Sequence, residues 1–249
     1  GAFGVDDTEL YRTLKLAKEL GVVVTAHCEN ETLVAERCKE LLAAGKTDPG
    51  QHHESRPPAV EAEGVHHLMT FAELTGAATY IVHLSCKEAL DQAIAARQRG
   101  VRVGVETLIQ YLTLDKTYAE KPKFEGAKFV MSPPLRDARN QSALWAGLRD
   151  GYIQTVATDH CPFHFSGQKD MGKDNFAKIP NGAPGIENRM NLMYTYGVAA
   201  GRISLHRFVQ LMSANPARIF GMTRKGNLVP GFDAGGAQGV AQGETDSEA

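Results

Sequence analysis

Four short runs of the sequence are apolar without alternation, and each is followed by a helical pattern: VVVTA (22–26), TYIVHL (79–84), VRVGVE (101–106) and QTVAT (154–158). A strand with one wet face alternates apolar and polar side chains, whereas a strand covered on both faces has no reason to. Such strands belong to parallel sheets, whose neighbours are joined by right-handed helical crossovers. The chain is therefore predicted to be α/β. A complete (β/α)₈ barrel of ~250 residues has eight strands, and only these runs are strong, so the pattern is that of half a barrel.

The helical stretches carry their own punctuation. Asp6-Asp7-Thr8 leads into a stripe of Leu10, Leu14 and Ala17 that Gly21 closes. Asn30 caps a helix over 31–44, and Pro57-Pro58 open another that runs to about Leu74, with Gly76 beyond it. Ser85 and Glu88 have the spacing of a capping box for a helix through Arg99. Further helices are predicted at 138–149, 185–199, 204–212 and 215–221. Residues 1–222 then form the barrel part, 223–234 begin a separate segment, and the Gly/Ala/Gln-rich 235–249 is expected to be disordered.

Composition narrows the function. The net charge of −2, with no Lys/Arg stripe, disfavours nucleic acid and anionic membrane surfaces as partners. No apolar run approaches the ~20 residues of a membrane span. Cys28, Cys38, Cys86 and Cys161 form no CxxC pair and suit a reducing cytoplasm rather than a disulfide framework.

Each apolar run ends in something ionisable: His27-Cys28-Glu29-Asn30, His83-Leu84-Ser85, Glu106, and Asp159-His160. Ligands of parallel α/β folds sit at the carboxyl ends of the strands. His27, His83 and Asp159 can therefore reach one point, and imidazole with carboxylate suits Zn²⁺ or Mn²⁺. Taken one at a time, a strand-end histidine is more often a hydrogen-bonded packing residue than a ligand; three ligand-type residues at three strand ends are harder to dismiss. The HxE of 27–29 has no PCxxC partner, so a zinc deaminase is disfavoured, and there is no GxSxG elbow or P-loop. His52-His53, in a polar loop, and His66-His67, whose side chains diverge on a helix, read as structural. Cys28 and Cys161 read as small buried neighbours of the proposed ligands.

Longer motifs add a resemblance. HCEN (27–30), SRPPAVEAE (55–63), YIVHLSCKEAL (80–90), FVMSPPLR (129–136), TVATDHCPF (155–163), GQK (167–169) and IPNGAPGIE (179–187) resemble the dihydropyrimidinase/D-hydantoinase family of cyclic amidases, in the amidohydrolase superfamily. The resemblance runs from about residue 1 to about 234, and it implies the second, C-terminal half of the barrel over 1–222 and the start of an incomplete return to a small β-sandwich over 223–234. It implies a (β/α)₈ barrel with two divalent metal ions, bridged by a carboxylated lysine and a hydroxide. It implies His27 and His83 as ligands of the second metal, and Asp159 as ligand of the first and proton shuttle. Ser132 and Asn181 would hold the ring amide, largely through backbone groups. Glu106 receives no role.

The implied reaction opens the ring of a dihydropyrimidine or 5-substituted hydantoin to an N-carbamoyl amino acid, and the family implies a cytoplasmic homo-oligomer, dimer or tetramer. The chemistry is coherent: an unactivated amide needs a strong nucleophile, and metals lower the pKa of bound water from 15.7 to roughly 7. The family's HxH, bridging lysine and oxyanion tyrosine have no counterpart in these residues. At most one metal is therefore expected here, and weak activity at best. Two other readings stand beside this one: a non-catalytic scaffold of the same branch, which would have no need of all three ligand-type residues, and a sibling amidase such as an allantoinase.

Overall fold

In the computed structural model, which describes residues 4–233, the Asp6 carboxylate accepts from the Glu9 N–H at 2.8 Å and starts helix α1 (Asp7–Leu20). Leu14 and Ala17 are its buried stripe. Strand β1 (Val23–Ala26) follows, then α2 (Glu31–Ala43), capped by Asn30 on the Leu33 N–H at 3.0 Å. A short helix α3 (Gln51–Ser55) precedes α4 (Pro58–Thr75) and β2 (Ala78–Ile81). The next pairs are α5 (Lys87–Gln98) with β3 (Val103–Leu108), then α6 (Ile109–Thr113) and α7 (Arg139–Asp150) with β4 (Thr155–Ala157). Helices α8 (Arg189–Met193), α9 (Leu205–Val209) and α10 (Asn215–Ile219) close the described residues.

The strands form one four-stranded sheet in the order β1-β2-β3-β4, parallel throughout. This is the predicted fold: four βα units, half of a (β/α)₈ barrel. Val65, Leu68 and Met69 of α4, Ala89, Leu90 and Ala93 of α5, and Leu144 and Leu148 of α7 pack the helical layer on the sheet. Burying one such Leu or Met contributes about 1.5–3 kcal/mol, which is why helices need not be strongly capped to hold their places.

Several boundaries differ from the sequence reading, each for a tertiary reason. The second run stops at Ile81 because His83 turns to a left-handed φ of 42°. The third continues past Glu106 to Leu108, where the Thr107 hydroxyl donates to the Leu84 carbonyl at 2.7 Å. The Ser85–Glu88 capping box does not form: α5 begins after Cys86, and the Ser85 hydroxyl is taken by Glu61 and Arg136. The helix predicted from 185 starts at Arg189, since the Gly185 N–H is claimed by His160 Nδ1 at 3.1 Å. The two helices predicted at 204–212 and 215–221 are joined by a π-turn, Gln210–Ala214. Pro216, one residue into α10, has no N–H to continue the α ladder, and a wide turn absorbs that interruption. Residues 223–233 are turns, with the Asp233 N–H donating back to the Arg224 carbonyl at 2.8 Å. The expected disorder of 235–249 lies outside the described residues.

One close approach in α4 fixes the rim. A Cβ on Gly64 would lie 2.7 Å from the Cys28 carbonyl carbon and 2.8 Å from the Glu29 nitrogen, both backbone atoms that cannot rotate away. Gly64→Ala is expected to cost about 1–3 kcal/mol, the usual cost of overpacking, seen as a lower urea midpoint. A midpoint unchanged from wild type would mean that the turn after β1 yields easily.

Candidate active site

All four strands point the same way, so their carboxyl ends share one rim. His27 directly follows β1, His83 lies two residues past β2, and Asp159 lies two residues past β4. His83 and Asp159 both hold left-handed backbone, with φ of 42° and 43°. For a residue with a Cβ this conformation costs roughly 1–2 kcal/mol, and such strain concentrates where side chains must be aimed for a purpose.

His27 Nδ1 and His83 Nε2 meet at 3.0 Å, with their rings edge to face. The other nitrogen of His27 contacts Glu29 Oε2 at 2.9 Å, and Arg56 Nη1 reaches the same oxygen at 2.5 Å. Burial alone would raise the Glu29 pKa, but the His27 hydrogen bond and the Arg56 charge outweigh it and hold the carboxyl at about 2. Its Oε1 is buried without a hydrogen-bond partner. Burial, reinforced by the His27 charge, lowers His83 to about 3, so its imidazole is neutral at pH 7.

Glu106, for which the sequence offered no role, anchors this corner. It lies inside β3 rather than at its end, accepts from the His83 N–H at 3.2 Å and takes the Tyr80 hydroxyl at 2.8 Å. Burial raises its pKa, and the nearby Asp159 charge adds to that. Asp159 itself is exposed on the rim. Among the described residues no three His, Cys, Asp or Glu side chains converge as a metal cluster. The structure thus pairs His27 with His83 on the rim to which Asp159 also belongs. The two imidazoles satisfy each other directly.

The segments that carry Ser132 and Asn181 are tied together through neighbouring backbone groups. The Gly182 N–H donates to the Val130 carbonyl at 3.0 Å, and the Lys169 ammonium donates to the carbonyls of Val130, Pro180 and Gly182. The Ser132 hydroxyl lies 3.4 Å from His52 Nε2, which is also 2.9 Å from the Met131 carbonyl. His52 is therefore structural, as read, but sits in helix α3 rather than a polar loop. His53 contacts Glu120 at 2.9 Å, and His67 contacts Asp7 at 2.9 Å. Cys28 is buried as expected, whereas Cys161 is exposed, because the chain after β4 runs along the rim.

The sequence reading missed Glu29, Glu61, Arg136 and Lys169. All four lie inside the quoted motifs; the available signal was a charged residue held in a motif with no ligand role to explain it.

A profile of the amidohydrolase family matches residues 1–235. The D-hydantoinase of Geobacillus stearothermophilus is 46% identical over 233 residues, covering 93% of this chain and 50% of that protein. A D-phenylhydantoinase of Escherichia coli is 45% identical, covering 93% of this chain and 50% of that protein. The solved D-hydantoinase (dihydropyrimidinase) of Thermus sp. superposes with a TM-score of 0.91 at 57% identity, over 93% of this chain and 51% of that one. The L-hydantoinase (dihydropyrimidinase) of Arthrobacter aurescens superposes with a TM-score of 0.86 at 32% identity, over 93% and 51%. The chain spans about half the length of the curated relatives it matches.

Proposed function

The chain belongs to the amidohydrolase family, and on that premise we propose that it provides half of the barrel of a metal-dependent cyclic amidase. The reaction is the hydrolytic opening of a dihydropyrimidine or 5-substituted hydantoin ring to an N-carbamoyl amino acid. The observation that carries the reading is the His27–His83 nitrogen pair, 3.0 Å apart on the rim of a chain so similar to hydantoinases.

The donor set fits a divalent ion. Bonds of ~2.0–2.1 Å in a tetrahedral shell place neighbouring nitrogens about 3.3 Å apart, close to the observed pair. The Glu29 carboxylate on the far nitrogen of His27 is the outer partner that orients a ligating imidazole. His27 and His83 would hold Zn²⁺, or Mn²⁺, with Asp159 as a weaker third ligand, and at most one ion would bind per chain. Such an ion supplies Lewis acidity and a water acidified to roughly pKa 7. The residues do the rest. Asp159 accepts the proton of the attacking water and delivers it to the ring nitrogen as the C–N bond breaks. Backbone groups around Ser132 and Asn181 hold the ring amide in line, which matters because proton transfer tolerates little positional slack.

Four free thiols, two of them buried, support a reducing cytoplasmic setting. Exposed Tyr194, Tyr196, Leu205 and Val209 supply apolar surface that homo-oligomer formation would bury. Among the described residues no helix is long and apolar enough to cross a membrane.

The test is to titrate the chain with Zn²⁺ and then assay hydantoin and dihydrouracil opening, alone and mixed with the half of the Thermus sp. relative that this chain does not match. We expect no more than one ion per chain, lost in His83→Ala. Alone, the chain should turn over far below a typical ~10 s⁻¹. Ring opening should appear in the mixture and vanish with Asp159→Asn. A mixture that co-purifies, binds metal and opens neither ring would overturn the assignment.

A further inference from the structure

Lys169, from the GQK motif, takes no part in ring opening as described, yet its side chain is 2% exposed. Its ammonium donates to the Val130 carbonyl at 2.8 Å, the Pro180 carbonyl at 2.7 Å and the Gly182 carbonyl at 2.8 Å. An ammonium has three donors, so its capacity is filled. The ring of Phe163 lies beneath, with its centroid 5.5 Å from the nitrogen. Burying a cation without a carboxylate is costly unless every donor is met, and no ion pair to Lys169 occurs among the described residues. The arrangement is also specific to lysine. Glutamine has only two donors, and the planar fork of arginine cannot direct three donors to carbonyls that converge on one point.

The three carbonyls come from two straps. Val130 is two residues before Ser132, and Pro180 and Gly182 flank Asn181. In a trans peptide the N–H points opposite to the carbonyl of the same plane. Anchoring the Pro180 carbonyl on the ammonium therefore aims the Asn181 N–H away from it. Anchoring the Val130 carbonyl aims the Met131 N–H likewise.

We infer that Lys169 is a positioning residue: its ammonium sets the spacing and the peptide orientation of the two straps that present Ser132 and Asn181, and so governs substrate binding rather than proton transfer. The consequence for substrate rests on the proposed reading of Ser132 and Asn181 as the ring-amide contacts.

The test uses Lys169→Met, which keeps the stem and removes the donors. In the full chain, hydrogen exchange of the Gly182 N–H, bonded to Val130, is compared with the N–H groups of Leu84 and Gln154, bonded to the sheet carbonyls of Glu106 and Val105. Gly182 should lose protection by about 10- to 100-fold, the size expected for losing hydrogen bonds to a charged group, while Leu84 and Gln154 keep theirs. In the ring-opening mixture KM should rise about tenfold with kcat within about threefold, the signature of lost binding rather than lost chemistry. Unchanged Gly182 exchange, equal loss at all three amides, or a fall in kcat at constant KM would each overturn the inference. A wild-type mixture without turnover counts against the proposed activity instead, and the exchange comparison then decides the role of Lys169 by itself.

Discussion

Replacing Arg136 by methionine is expected to lower the unfolding free energy by about 3–5 kcal/mol, the usual loss when one member of a buried ion pair is removed. Arg136 is 5% exposed and its partner Glu61 is 1% exposed. Arg136 Nη2 donates to Glu61 Oε2 at 2.7 Å, Nε donates to the Ser85 hydroxyl at 2.8 Å, and Nη1 reaches the Arg56 carbonyl. Glu61 in turn accepts the Ser85 N–H at 2.7 Å and the Ser85 hydroxyl. Burial and the Glu61 charge push the Cys86 thiol and the Tyr111 phenol well above their ordinary ranges, a sign of how poorly this region would tolerate an unpaired carboxylate.

The loss would come mainly from the stranded Glu61, and that makes it separable. Glu61→Gln combined with Arg136→Met removes both charges while an amide oxygen remains for the Ser85 N–H. More than half of the lost stability should return in the double variant, measured by urea unfolding. A single variant losing under ~1 kcal/mol, as exposed pairs do, or a double variant as unstable as the two singles summed, would refute this account. The pair also ties three pieces of the rim together. Glu61 is on α4, Ser85 is two residues after His83, and Arg136 is four residues after Ser132.

The sheet was legible because a parallel strand must be apolar on both faces, and all four apolar runs became its four strands. The rim residues were legible because the runs ended in His and Asp. What escaped was set by distant partners. Ser85 has the spacing of a helix cap, but Glu61 and Arg136, distant in sequence, take its hydroxyl first. Gln51–Ser55 shows no apolar period, so it read as loop; it is helical, and its His52 is buried where it meets Met131, 79 residues away. Glu106 read as a strand end, and the pairing of Thr107 with Val156 and of Leu108 with Ala157 carries β3 beyond it. Likewise the strand-end pattern placed His27, His83 and Asp159 on one rim, but no sequence pattern states that Glu106 accepts from the backbone N–H of His83.

His52 shows how such a distant contact makes stability depend on pH. Burial, then the Arg56 charge, lowers its pKa from 6.5 to about 3, against a smaller opposing effect of the hydrogen bond to the Met131 carbonyl. The folded chain thus holds His52 neutral while the unfolded chain takes up a proton below pH 6.5. Where the unfolded state binds more protons, stability rises with pH. This contribution is therefore intact above pH 6.5 and declines as pH falls toward 3. Between pH 7.5 and pH 5 the loss from His52 alone comes to about 2 kcal/mol, at 1.36 kcal/mol per pKa unit. His52→Gln keeps a donor for the Met131 carbonyl but cannot titrate, so its urea midpoint should fall less on the same acidification, by a difference worth about 2 kcal/mol. Equal acid sensitivity in the two proteins would rule His52 out as its source. Since Nε2 of this ring also lies 3.4 Å from the Ser132 hydroxyl, protonation places a cation against the strap proposed to hold the substrate. Acid should then loosen that strap before it unfolds the sheet, visible as faster exchange at Gly182 than at Leu84.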